Sequence, residues 1–124
     1  MSIDNEYYLR FEHKGDAFTA IDPIFRNGPG GWMIVGSADD GSRAEVSFGF
    51  PVQGSDGVKL IQYSPATWQQ LKWQFTDKEG RIFEVQSGHL AIELKNQLTL
   101  VSGSLLFKLD DGSDVEGTFN LTRV

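Results

Sequence analysis

Cysteine is absent from the chain, which excludes disulfides, thiolate nucleophiles and zinc sites built on cysteine. Its absence fits a reducing compartment, and cytoplasmic residence is expected. Basic residues are sparse and scattered, 11 against 17 acidic ones for a formal net charge of −6. A phosphate backbone would be repelled, so nucleic acid is not an expected partner, and anionic membrane surfaces are disfavoured likewise. No run reaches the roughly 18 apolar residues of a membrane helix; "LTLVSGSLLF" is broken by polar and glycine positions. The opening "MSIDNEYYLRFEH" has neither a basic segment before an apolar one nor a small-residue cleavage site, so no secretory signal is expected. Helical periodicity is almost missing too. The exception is "SPATWQQL", where Ser64 could cap and Pro65 suits a first helical position, predicting one short helical turn.

What is present is alternation with a period of two, the mark of half-buried strands. Tyr7, Leu9 and Phe11 alternate with Tyr8, Arg10 and Glu12, and Val46, Phe48 and Phe50 alternate with Glu45, Ser47 and Gly49. Leu71, Trp73 and Phe75, then Leu90, Ile92 and Leu94, then Val115, Phe119 and Leu121 repeat the pattern. The 124 residues make a single all-β domain, 1–124, long enough to bury roughly two thirds of its unfolded surface.

The stretch "DDGS" occurs twice, at Asp39 and at Asp110. Residues opposite each other in an antiparallel pair share a face, so the inward residues flanking a turn limit its length. Setting Phe107 opposite Val115 leaves Asp110, Asp111 and Gly112 as a loop, and Val46 opposite Ile34 leaves Asp39, Asp40 and Gly41. A three-residue hairpin loop needs a left-handed third residue, which glycine supplies. The same reading gives Lys78, Glu79 and Gly80 between Phe75 and Phe83, Ser55, Asp56 and Gly57 between Val52 and Leu60, and His13, Lys14 and Gly15 between Phe11 and Ala17. Ser87–Gly88 reads as a two-residue turn and Lys95, Asn96 and Gln97 as a loop without glycine.

The prediction is an antiparallel meander of about ten strands, near 5–12, 16–22, 31–38, 42–53, 58–63, 70–77, 81–86, 89–94, 98–109 and 113–123. Leu98 and Leu100 are even while Leu105, Phe107 and Leu109 are odd, which predicts a bulge at Ser102 to Ser104. So wide a meander closes into a barrel or, alternatively, folds over as a β-sandwich.

Strand count, meander order and length resemble the calycin type of up-and-down barrel, which includes lipocalins and intracellular fatty-acid-binding proteins. The resemblance implies architecture only. The helix pair that fatty-acid-binding proteins insert between their first two strands has no counterpart, since Phe11 runs through "HKG" into Ala17.

No catalytic residue, metal ligand set or cofactor motif stands out. "DDGSDVEG" lacks the alternating oxygen ligands and terminal glutamate of a calcium loop. Glu45 and Glu116 fall on the polar face as solvated surface, His13 and His89 sit at turns, and there is no Gly-x-Ser-x-Gly elbow. The aromatic inner face of Tyr7, Phe11, Trp32, Phe48, Trp73, Phe83 and Phe119 is the candidate lining for a small, largely apolar ligand. The irregular stretch from Asp22 to Gly31 is the candidate gate, with Ile24, Phe25 and Arg26. Trp68 is either a plug for the barrel end or an exposed contact for a protein partner, and Tyr8 with Phe18 forms a possible second patch. Two functions follow: a non-enzymatic binding protein holding its ligand in the barrel, or a protein-interaction module acting through an acidic surface and Trp68. Either would be a monomer or a homodimer.

Overall fold

A computed structural model describes residues 7–28, 31–50, 55–66 and 72–123, without the side chains of Ile21 and Gly28. Nine strands are present among them: β1 (Tyr8–His13), β2 (Asp16–Gly28), β3 (Gly31–Ala38), β4 (Glu45–Phe50), β5 (Gly57–Tyr63), β6 (Gln74–Thr76), β7 (Ile82–Lys95), β8 (Leu100–Leu109) and β9 (Asp114–Thr122). No described residue is helical. All pairings are antiparallel, and the ring β7–β6–β4–β3–β2–β1–β9–β8 closes through a β7–β8 ladder into an eight-stranded barrel. The fifth strand is attached beside β6 on β7 and pairs with nothing else among the described residues.

Two long strands make the closure possible. The first part of β2 pairs with β1 and its remainder with β3; β7 pairs first with β6 and then with β5. In β7 the change of partner coincides with a bulge between Val85 and Ser87, and in β2 the change, between Thr19 and Ala20, is followed by a bulge between Ile21 and Ile24. A bulge adds a residue to one strand and bends it, so these two strands turn the corners of the barrel.

The inward positions form one core that includes Leu9, Phe11, Trp32, Phe48, Trp73, Phe107 and Phe119, each 2 % exposed or less. Trp73 is the best anchored. Its indole stacks on Tyr63 at 4.3 Å, its Nε1–H donates to the Gly49 carbonyl at 3.0 Å, and its backbone N–H donates to the Tyr63 hydroxyl at 3.1 Å. Burial raises the pKa of that phenol. A Cβ on Gly88 would come within 2.5 Å of the Trp73 ring, so glycine there makes the room the indole occupies.

Parity succeeds at two of the turns. Leu109 and Ser113 flank Asp110–Gly112, and Asp77 and Arg81 flank Lys78–Gly80. Gly112 and Gly80 carry φ of +87° and +93°, the left-handed value the loop demands. The first "DDGS" is a longer loop than expected. Ile34 faces Phe48 and Ala38 N–H bonds to Ala44, leaving residues 39–43. Parity fixes a loop length only modulo two, and Ser42 supports the longer one by donating its N–H to Asp40 and accepting from Ala44 N–H.

Elsewhere the structure corrects the reading. Phe11 faces Phe18, not Ala17, because Lys14 and Gly15 are both left-handed in a two-residue turn, and the two rings stack at 5.2 Å. Phe18 is therefore core and makes no patch with Tyr8. Ser87–Gly88 is no turn: the change of parity comes from the bulge, and predicted strands 81–86 and 89–94 are one strand. Ser102 to Ser104 is regular and carries no bulge. Val101 and Leu105 are both inward, and the change of face happens earlier, where Asn96, Gln97 and Leu98 are all left-handed. Asp56 holds that turn by accepting the N–H groups of Gln97 and Leu98 at 2.9 and 2.8 Å, while the expected turn between Val52 and Leu60 lies partly outside the described residues. Leu60 points outward, with Ile61 and Tyr63 buried instead.

The candidate gate is also corrected. Asp22–Gly28 continues β2, and Phe25 is a core residue 5.3 Å from Trp32. The Asp-Pro pair marks the bulge: Asp22 is left-handed with φ +47°, and the missing N–H of Pro23 is tolerated there. Ile24 and Arg26 are exposed strand residues. Trp68 and most of the expected helical turn at 64–71, like Val52 and residues 1–6, lie outside the described residues.

Candidate functional site

Three places bear on function: the aromatic interior, the cluster around His13, and a hollow on the outer face.

The rings proposed as a lining contact one another. Phe48 lies 5.5 to 6.1 Å from Phe119, Phe107 and Trp73, while Phe11 meets Phe75 at 6.2 Å. Phe83 is half-buried beside Phe75 at 6.3 Å, and Tyr7 is 52 % exposed at the start of β1. Ring centroids at such spacings are a packed aromatic core.

His13 is buried at the mouth of the β1–β2 turn, not exposed as its place near a turn suggests. Its ring lies 4.6 Å from Phe75, and Nε2 lies 3.0 Å from Ser113 Oγ. The Ser113 hydroxyl donates its single proton to Asp111 Oδ1 at 2.6 Å, so the imidazole donates to the hydroxyl. The order Asp–Ser–His is the wrong one for a nucleophile, because the imidazole has no lone pair aimed at the serine proton. Burial, then the neighbouring Lys14, holds the His13 pKa below its usual value. Asp111 is lowered to about 2, chiefly by the Ser113 hydroxyl and backbone N–H, with Lys14 assisting at 3.3 Å. Lys78 meets Asp16 at 2.9 Å, and Arg43 N–H bonds to the Lys78 carbonyl. These contacts stitch four turns together. The second "DDGS" is thus a capped turn, and among the described residues no group of three or more His, Cys, Asp or Glu could hold a metal.

The hollow lies over β5, β7, β8, β9, β1 and β2, with a volume of about 670 Å³. Two rows of outward side chains cross the sheet. In one, Leu60, Ala91, Ser104, Thr118, Arg10 and Thr19 are successive cross-strand partners; in the other, Gln62, His89, Leu106, Glu116, Glu12 and Ala17 are. Buried residues between them, such as Leu90 and Leu105, present only the strand to the floor. Six strands at the usual spacing give a path of about 24 Å along the curved sheet beneath the hollow. Small residues at its centre, Ala91, Ser104 and Thr118, leave the space, and longer chains stand around them. Beneath, Gly103 and Gly117 occupy inward positions where a Cβ would collide with the neighbouring strand at Ala91 O and Arg10 O. The sheet is drawn in tightly at this point.

Its polar and apolar ends differ. Leu60 is 81 % exposed and Leu106 40 %, with Val58 beyond them at 73 %. At the other end Glu12 and Glu116 are direct cross-strand partners. The sequence alone marks Glu116, His89 and Glu12 as ordinary surface, sets Leu60 inward and does not single out Leu106. The available signal was "SLLF" and "VKLIQY", each with apolar residues of both parities, so that one leucine must face outward. The chain matches no protein-family model, no curated protein and no solved structure, so its function is argued from these residues alone.

Proposed function

We propose that this protein is a non-enzymatic binding protein that takes a small, partly apolar ligand in the outer hollow rather than inside the barrel. The observation that supports the reading most is a concave face carrying two exposed leucines, over a barrel whose inward rings pack on each other. Apolar contact area with a few convergent polar groups is the usual make-up of a small-molecule site. The calycin likeness then extends to architecture and not to where the ligand sits, and the lack of cysteine favours the cytoplasm.

Native mass spectrometry of the protein purified gently from its own cells, alongside a Ser104→Trp variant that fills the hollow, tests this. A bound mass of a few hundred daltons that disappears in the variant is the expected result. A mass retained by a folded Ser104→Trp, or a bare chain in both, would overturn it.

A second reading, a protein-interaction module, draws support from β5, whose Val58 and Leu60 are the most exposed large apolar residues described. Lys59 sits between them on the inward-facing parity of an edge strand, a placement that discourages edge-to-edge pairing. A partner would therefore meet the face of β5, not its edge. Trp68 carries no part of this reading.

A further inference from the structure

Resting on that reading, we infer that the ligand is a small organic cation with an apolar body, lying across the strands with its charged end at Glu12 and Glu116 and its apolar body running past Leu106, the cross-strand neighbour of Glu116, towards Leu60. The hollow sets the length. Three strand spacings separate the β9 glutamate from the β5 leucine, about 14 Å. Its apolar end is open to solvent, and in the middle Ala91 and Ser104 form a row of small residues beside His89 and Leu106, so an extended chain can lie along that row.

Charge sets the polarity. Like charges directly opposite each other in an antiparallel ladder are unfavourable, and Glu12 faces Glu116 across β1 and β9. Three cations stand on neighbouring outward positions, and each is engaged elsewhere. The Arg10 guanidinium lies over the Tyr8 ring at 4.4 Å, Lys14 pairs with Asp111 at 3.3 Å, and Lys108 pairs with Asp114 at 3.0 Å. Among the described residues neither carboxylate is in an ion pair, and both stand at the wall of a hollow whose far strand carries the exposed Leu60. A primary amine or guanidinium on a hydrocarbon chain complements both ends at once.

The test uses three chain-matched probes, decylamine, decanol and decanoate, titrated into the protein and followed by amide chemical shifts. Decylamine is expected to bind most tightly and to move the amides of Glu12, Glu116, Leu106 and Ala91. The Glu12→Gln/Glu116→Gln pair is expected to weaken it about tenfold or more while leaving decanol within about twofold. Removing the repulsion should also raise the melting temperature of the free variant by about 1–3 °C. Amine binding lost together with raised stability is not what misfolding would produce. Decanoate binding as well as decylamine, or a Gln pair that binds the amine unchanged, would overturn the inference while leaving the hollow as a site. If Ser104→Trp binds all three probes as the wild type does, the hollow is not the site and the reading beneath the inference fails with it. Shifts confined to β5 accompanied by dimerisation would instead assign that face to a second copy of the chain, and would also overturn it.

Discussion

The turn end of the barrel and the outer hollow are built from the same residue types to opposite effect. Around His13 the carboxylates of Asp111 and Asp16 each meet a lysine, and the Ser113 hydroxyl is committed to Asp111. Along the hollow, Glu12 and Glu116 face each other, neither in an ion pair with a lysine or arginine among the described residues, and leucines stand in solvent. Charge that is matched locally serves the fold. Charge and apolar surface left unmatched together, in a concavity, are what the proposed binding reading rests on.

That contrast can be broken by mutation. The largest effect is expected in the core: Trp73→Ala removes the ring stacked on Tyr63 and the bond to Gly49, and should cost about 3–5 kcal/mol in urea unfolding. Leu60→Thr, at the hollow, should stay within about 0.5 kcal/mol. Comparable losses at both positions would mean that Leu60 belongs to the core. Next, Gly112→Val should cost about 1–2 kcal/mol, because a branched residue resists φ near +87°. Asp110→Asn should leave stability unchanged with or without calcium, and a calcium-dependent loss would reinstate a metal at that turn.

The smallest effect is in pH. His13 has a folded pKa below 6.5, so the folded state binds fewer protons than the unfolded one in that range. Stability should fall as pH drops below 6.5 towards the lowered value, and His13→Asn should flatten that slope. Asp111 acts in a separate window. Its contribution is present above the unfolded value of 3.8 and is lost as pH falls from there towards about 2. Melting curves between pH 7.5 and 2.5 distinguish the two; an unchanged slope in His13→Asn would show that its burial does not hold in solution.

Much of the fold was legible because a strand exposes its parity in the sequence. Val46, Phe48, Phe50 and Val115, Phe119, Leu121 face inward as alternation requires, and Gly112 and Gly80 sit where left-handed residues were needed. The errors share a cause. A change of parity signals an odd number of residues without saying whether they form a turn or a bulge, so Ser87–Gly88 read as a reversal where the chain continues. Gly103 hid the continuity of β8, because a glycine has no side chain to show its face. The hollow as a constellation was not legible, although apolar residues of both parities marked single outward leucines: Leu60, Leu106, Glu116 and Glu12 lie on four different strands and meet only through four ladders.

Composition and alternation alone determined an all-β chain without cysteine chemistry, acidic, with glycine-closed hairpins and a dominant aromatic interior. Tertiary structure decided that β2 and β7 bend at bulges and close the ring, that the aromatic residues face each other, and which exposed side chains become neighbours. The physical reason is that alternation is a local property of the strand, set by the geometry of successive residues. Register and closure depend instead on which strands compete for the same edge, and that competition is settled only when the whole sheet is assembled.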